Sequence, residues 1–347
     1  MISKEDIRSY FESLRPDKLG LKNKIKVQRI SKLGMGTGNL NFLVKANDRK
    51  YVFRINMNPK LKKKSRKEFQ SLKIIEKYNI GPKPRILDES CSKFDSDLMI
   101  IDYIEGKTCD KLKGYLGLRM IRNLGRLCGK MHSVPLDKNL KKLNIEEAAK
   151  GYRNHKKLIK KEYLDPAYKR LKNKKVIEML KSTYDKLKRT LPSEKFEPHL
   201  VLSQGDFCEQ NIIVYKGEYK LIDFEDLELT DNASEIAHIF VDFGTPFDEK
   251  QKKAFLEGYF EHMKNPGKDF LEKIKVWMPL KQFTVLAWAI DHALKVQTKQ
   301  MHHHFIEEND PERDINYAKI VFKRCLRAGI VDKKYKSLDM VKILRAG

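Results

Sequence analysis

With 347 residues, 41% of them hydrophobic and 34% charged, the chain is long and apolar enough for two lobes around a large core, and disorder is excluded. A formal net charge of +25 disfavours a polycationic substrate and draws in anions, whether phosphorylated metabolites, nucleic acid or an acidic membrane surface. No window of about 18 consecutive apolar residues is present for a membrane span, and Lys4, Glu5, Asp6, Arg8 and Glu12 stand where a signal-peptide core would lie. The five cysteines form no C-x-x-C pair, so a cytoplasmic protein with reduced thiols, without a disulfide framework or zinc site, is expected.

In chain order, Ile7, Tyr10, Phe11 and Leu14 set out an amphipathic helix that stops near Pro16 and Gly20. Residues 25–56 alternate in strand fashion, with turns at the glycines of 34–38 and at Asn47-Asp48, and predict three antiparallel strands. Phe69, Leu72, Ile75 and Tyr78 give residues 60–78 helical spacing, closed by Gly81-Pro82. A strand pair then ends in the apolar run LMIIDYI, residues 98–104, which connects a small lobe to a large one. Leu118 to His132 reads as one helix and residues 144–191 as two or three. Within a strand-rich island at 199–223, NIIVYKGEYKLID is two short strands around a Lys216-Gly217 turn. Beyond residue 233 the pattern is helical, with breaks at Pro246, Pro266-Gly267, Pro279 and Pro311. The fold class expected is α+β and bilobal: a small lobe over residues 1–104 with an antiparallel sheet and an N-terminal helix, and a large, mostly helical lobe over 105–347.

Phosphoryl transfer needs a base for the attacking hydroxyl, oxygen ligands for magnesium, a cation on the phosphates and a flexible cover over them. GDFCEQN, residues 205–211, places Asp206 and Asn211 five positions apart, close enough for a base and a metal-binding amide to share one tight loop. The hairpin that follows returns the chain so that Asp223, in LIDFED, can face them. LGMGTGN, residues 33–39, lies between two predicted strands, as a phosphate-covering loop of the kinase type does, and Gly34, Gly36 and Gly38 let backbone amides approach phosphate oxygens. Arg54, on a strand, and Glu68, on the helix after it, are candidates for the phosphate-side cation and its ionic partner, although such charges taken alone read as surface residues.

These motifs resemble the aminoglycoside phosphotransferase and choline kinase superfamily, whose protein-kinase-like fold has a His-Gly-Asp then Asn catalytic loop and an Ile-Asp metal segment; the likeness spans about residues 30–295. It implies that Asp206 is the catalytic base and that Asn211 and Asp223 bind Mg2+. It further implies that Arg54 stands where protein kinases carry their phosphate-pairing lysine, and that the backbone of Asp102, Tyr103 and Ile104 meets the adenine edge of ATP. The segment 231–237, an acidic residue and alanine before a helix, is also similar. Gln204 departs from the family histidine that braces the loop, but glutamine also donates and accepts, so activity is expected to survive. Met99, Trp277, Trp288 and His132 read as packing residues, and the adjacent His302, His303 and His304 point in different directions along a helix and do not form a metal site.

From Lys138 to Thr190 there are 18 Lys or Arg against 6 Asp or Glu, a basic helical insertion with interleaved tyrosines Tyr152, Tyr163, Tyr168 and Tyr184. It is either a solvated helix face or part of the acceptor site. The expected activity is transfer of the ATP γ-phosphate to a hydroxyl of a small molecule that is neutral or anionic. Two alternatives stand beside it: a kinase acting on RNA through the insertion, and an inactive nucleotide-binding scaffold, suggested by Gln204.

Overall fold

The computed structural model describes residues 2–33, 39–56, 62–112, 117–136, 159–189, 196–298 and 311–346. The glycines Gly34, Gly36 and Gly38, the histidines His302 to His304, and Tyr152 with most of the first half of the basic insertion lie outside them. Two compact units are distinguished, the first comprising residues 1–146, 202–228 and 253–264, the second residues 147–201, 229–252 and 265–347.

The first unit is built on a five-stranded antiparallel sheet in the order β1-β2-β3-β5-β4. Its strands are β1 (Val27–Lys32), β2 (Asn39–Ala46), β3 (Arg49–Asn56), β4 (Pro84–Asp88) and β5 (Leu98–Asp102). The register Leu40↔Ile55, Phe42↔Phe53, Val44↔Tyr51 puts one set of alternating side chains on a single face. That face is covered by helix α1 (Lys4–Ser13), whose Ile7 and Phe11 are fully buried against Phe42, Val44, Phe53 and Ile55. Phe53 sits among the rings of Tyr10, Phe11 and Phe94 at centroid distances of 5.8, 5.7 and 5.4 Å. Ser3 starts α1 with a capping box, its hydroxyl accepting from Asp6 N and the Asp6 carboxylate accepting from Ser3 N. The opposite set of β2 and β3 side chains, Asn39, Asn41, Val52 and Arg54, lines a cavity of about 490 Å³.

Helix α2 (Lys62–Ile75) follows β3 and buries Phe69, Leu72 and Ile75. Glu68 lies four residues before Leu72 on the same stripe, which is why its carboxylate is buried and not solvated. Further along, β8 (Ile212–Tyr215) and β9 (Glu218–Leu221) form the expected hairpin. Both turn residues, Lys216 at φ 49° and Gly217 at φ 84°, take the left-handed conformation that a two-residue turn between twisted strands requires. β6 (Lys107–Thr108) adds a third strand beside β8, which the sequence pattern did not announce. Helix α3 (Leu118–His132) occupies the predicted span and meets the helix Glu249–His262 at backbone contact: a Cβ on Gly125 would fall 2.0 Å from the Phe255 carbonyl oxygen. His132 is buried there, its Nδ1 3.0 Å from the Tyr259 hydroxyl.

The second unit is helical, with Lys174–Leu187, Asn232–Asp242, Phe270–Gln297 and Pro311–Arg327 as its longer elements. Asp231, just before one of these, accepts from His199 N at 2.9 Å and from Trp277 Nε1 at 3.1 Å, with the buried Lys273 ammonium 3.6 Å away. Two expectations are corrected. Pro279 does not break the chain's helix but lies inside Phe270–Gln297, where burial of Trp277, Leu280 and Phe283 around it offsets a cost of roughly 3 kcal/mol. Trp277 fills the core, but Trp288 is 46% exposed, stacked on His292 at 4.7 Å. At 1.5 Å per residue this helix is roughly 40 Å long, so two residues on one stripe meet different neighbours. Tyr184 stacks on Phe283 at 6.5 Å, as a packing residue would.

Candidate active site

The catalytic-loop candidates are brought together by short-range geometry. After β7 (Leu200–Ser203) the chain turns at Gly205, φ +91°, where a Cβ would fall 2.2 Å from the Asp226 carbonyl oxygen; glycine alone fits. A single turn of 3₁₀ helix, Glu209–Asn211, then returns Asn211 to Asp206. Asn211 Nδ2 donates to Asp206 Oδ2 at 2.8 Å and to the Asp206 carbonyl at 3.1 Å. Burial holds the Asp206 carboxyl above its usual range, against hydrogen bonds from Cys208 and Asn211 and with the Asp223 and Asp226 carboxylates. The neighbouring Cys208 thiol is pushed up to about 12, first by burial and then by Asp206, so it is protonated and is not a nucleophile.

Gln204 ties this loop to the next. Fully buried, it accepts from Asp206 N at 2.9 Å and donates through Nε2 to the Ile222 carbonyl at 3.0 Å and to the Asp223 carbonyl. Ile222 N donates in turn to the Asn211 carbonyl at 2.9 Å. Both ends of the Gln204 amide therefore have partners of the right kind, and glutamine performs the bracing expected of it. Asp223 itself adopts φ +62°, which Asp tolerates better than most residues, and this conformation turns its side chain to Arg54.

Arg54 and Glu68 are not the surface charges that their types suggest in isolation. Arg54 Nη1 donates to Glu68 Oε1 at 2.8 Å and Nη2 to Asp223 Oδ1 at 3.1 Å, with Glu225 at 3.6 Å; the side chains of Arg54 and Glu68 are 12% and 4% exposed. Burial alone would lower the Arg54 pKa, but Glu68, Asp223 and Glu225 more than offset it and hold the guanidinium charged. Burial, helped by Asp223 and Glu225, raises the Glu68 carboxyl to about 7 despite Arg54. Asp223 and Glu225, with Glu68 only part ionised near neutral pH, still outweigh one guanidinium, and the excess of negative charge favours a further cation.

The fit of a metal follows from the donors left over. Asn211 spends its amide hydrogens on Asp206, so its Oδ1 is the atom left for a cation, and Asp223 gives only Oδ1 to Arg54. Two hard oxygen donors, with phosphates and water supplying the rest, suit Mg2+. Among the described residues no group of three or more His, Cys, Asp or Glu side chains forms a metal cluster of its own.

Asp102, Tyr103 and Ile104 all line the 490 Å³ cavity, with Leu33, Val52, Ile101, Ile213 and Ile222 as apolar walls. The N–H groups of Asp102 and Tyr103 are already donated to the carbonyls of Lys83 and Lys50, and the Asp102 carboxylate is held by Arg85 at 2.6 and 2.5 Å. Ile104 N–H makes no such bond among the described residues. Met99 is 2% exposed, in the sheet beside Arg54 and not in the cavity wall. Sequence reasoning missed Asn39, Asn41, Glu225, Lys107 and Lys111 on the cavity. The signal for the asparagines was available: they alternate with Leu40 and Phe42, on the face that Arg54 shares. Among the described residues no helix is long and apolar enough to cross a membrane.

The family model of the phosphotransferase enzyme family matches residues 29–272. No curated protein matches this sequence. Among solved structures, the choline kinase of Cryptosporidium parvum superposes with a TM-score of 0.61 at 16% identity, over 94% of this chain and 98% of its own. The ethanolamine kinase of Plasmodium vivax gives 0.59 at 16%, over 93% and 88%. A ternary complex of streptomycin, ATP and the phosphotransferase APH(2″)-IIa gives 0.58 at 16%, over 93% and 97%. At such identities the likeness fixes the protein-kinase-like α+β fold, and the family match covers well over half of the residues: the chain belongs to the phosphotransferase enzyme family, within the aminoglycoside phosphotransferase and choline kinase superfamily.

Proposed function

We propose that the protein transfers the γ-phosphoryl group of ATP to a hydroxyl of a small-molecule acceptor. The observation that carries this reading is the Gln204 bridge, which holds the Asp206–Asn211 loop against the segment whose Asp223 meets Arg54. The cavity supports the donor: its apolar walls accommodate a purine, and the Ile104 backbone is available to the purine edge. A structural relative is named for its complex with ATP.

In this mechanism Asp206 accepts the proton of the acceptor hydroxyl as its oxygen bonds to the γ-phosphorus and the bond from that phosphorus to the β–γ bridging oxygen breaks, so that ADP leaves; Asn211 holds the carboxylate in place by its 2.8 Å bond. Arg54, charged and anchored by Glu68, presents fixed positive charge to the phosphates. Asn211 and Asp223 would hold Mg2+, which supplies positive charge against the phosphate oxygens. Relatives here are named for amines, choline and ethanolamine, whereas a net charge of +25 favours a neutral or anionic acceptor for this chain. The scaffold alternative loses its motive, because Gln204 braces the loop; the RNA alternative gains no support from the described half of the insertion.

The test is transfer of labelled γ-phosphate from ATP into a metabolite pool, with total RNA as a separate acceptor. Label in a small molecule, lost by roughly a thousandfold in Asp206→Asn while nucleotide binding persists, is expected. Transfer that survives Asp206→Asn unchanged removes Asp206 as the base, and label in RNA alone replaces the acceptor class.

A further inference from the structure

Away from the cavity, two guanidinium groups of the first unit converge on one glycine. A Cβ on Gly20 would fall 2.9 Å from Arg49 Nη1 and 3.0 Å from Arg85 Nη1, so both groups reach the same point beside an exposed backbone turn. That turn is fixed. Gly20, at φ +69°, follows the 3₁₀ turn Pro16–Leu19 with its N–H on the Asp17 carbonyl at 3.0 Å, and the buried Tyr51 donates its hydroxyl to the Leu19 carbonyl at 2.9 Å. Arg85 is aimed at it by a β-bulge: β4 and β5 pair Pro84↔Ile101 and Ile86↔Ile100, which leaves Arg85 as the extra residue, and a bulge turns its side chain out of the ordinary alternation.

The charges at this point do not balance. Arg85 spends Nε and Nη2 on the Asp102 carboxylate, at 2.6 and 2.5 Å, which leaves Nη1. Arg49 is exposed, borders the Tyr51 hydroxyl and pairs with no carboxylate of the described residues. Glu76, whose charge also reaches Arg85, is shared with Lys83 at 4.0 Å, and Asp17 is held by Arg15 at 3.0 Å. Two guanidinium charges therefore stand against one carboxylate, and like charges brought so close repel unless an anion joins them. From this geometry we infer that Arg49 and the Nη1 edge of Arg85 form an oxyanion site that takes a phosphate group, separate from the nucleotide cavity. Neither arginine nor Gly20 lines that cavity, and the inference is independent of the phosphotransferase reading. Guanidinium suits the ligand, because its planar, permanently charged N–H edges meet phosphate oxygens in pairs, and two such groups from different strands can hold two edges of one tetrahedral anion.

Titration calorimetry of the full chain with inorganic phosphate and with glycerol phosphate, at constant ionic strength in chloride, tests this in wild type, Arg49→Gln, Arg49→Lys and Lys45→Gln. Lys45 is exposed on the other face of the sheet, so its replacement removes the same charge without touching the site. Loss of a hydrogen bond to a charged phosphate corresponds to about tenfold to a hundredfold weaker binding. Wild type and Lys45→Gln are expected to bind phosphate alike, Arg49→Gln to bind it more weakly by that factor, and Arg49→Lys, which keeps the charge and loses the planar edge, to fall between them. Binding of glycerol phosphate as well assigns the site to a phosphate group carried on an organic molecule; binding of inorganic phosphate alone assigns it to the free ion. Phosphate binding that is unchanged in Arg49→Gln belongs elsewhere on the molecule and overturns the inference. Equal weakening in Lys45→Gln, the signature of net charge alone, overturns it too, as does a wild-type chain that binds neither ligand.

Discussion

Replacing Gln204 by alanine deletes a side chain that joins the candidate catalytic loop to the Asp223 segment. Three part-buried backbone groups lose their partner at once: Asp206 N–H, the Ile222 carbonyl and the Asp223 carbonyl. A fully buried orphan costs about 1–3 kcal/mol, and these part-buried groups, reached by water in the vacated space, cost less, leaving roughly 2 kcal/mol of lost stability. The effect on rate is separate. Asp223 holds φ +62° with its carbonyl tied to Gln204, and release lets it relax away from Arg54; a misplacement of about 1 Å typically costs on the order of a hundredfold in turnover. Urea unfolding followed by circular dichroism gives the first quantity, and single-turnover phosphoryl transfer gives the second. Gln204→His, with one ring nitrogen to donate and one to accept, is expected closer to wild type than Gln204→Ala on both. Should Gln204→Ala stay within about 0.5 kcal/mol and twofold of wild type, the bridge does not organise the site and the reasoning fails.

Arg54→Ala strands Glu68, 4% exposed, without its cation, at an expected cost of about 3–5 kcal/mol in urea unfolding; Arg54→Met with Glu68→Leu should regain that stability and still fail to bind MgATP. Gly205→Ala puts a Cβ 2.2 Å from the Asp226 carbonyl and should abolish transfer and lower the urea midpoint, whereas Gly217→Ala, also at positive φ but in open space, should cost only about 1 kcal/mol. Burial first, then Lys281, lowers the His238 pKa from 6.5 to about 4 against the pull of Glu235. The folded state therefore binds fewer protons than the unfolded one between those values, and the stabilising contribution is complete above pH 6.5 and lost as pH falls through about 4. His238→Gln should flatten stability against pH across that window; an unchanged slope in urea unfolding would refute the assignment.

Elements whose period matched their burial were legible in advance. Leu118–His132 and the Lys216-Gly217 hairpin follow from periodicity and turn chemistry alone, because each has one apolar face and one turn that few residues can make. β6 was not, since its two residues are a strand only by pairing with Val214 and Ile213, more than a hundred positions later. Pro279 misled for the opposite reason: propensity is a local rule, and a helix that buries Trp277, Phe283 and Leu286 outweighs it.

The site shows the same division between local and long-range information. Asp206, Asn211 and Asp223 could be read because their chemistry needs short, fixed spacings in one loop and one hairpin. Arg54 and Glu68 looked like surface residues because a charge tells nothing of its neighbours until the sheet and helix close around it. Yet the sequence held one usable sign. Glu68 occupies an apolar stripe with Leu72 and Ile75, and a carboxylate in such a stripe must find a cation or a proton. Arg54 is the cation, and it shares its sheet face with Asn39 and Asn41. Buried ion pairs contribute little net stability compared with apolar residues of the same volume. On the proposed phosphotransferase reading, a chain that keeps Arg54 between Glu68, Asp223 and Glu225 holds a charge in position for the nucleotide phosphates, at the expense of a better core.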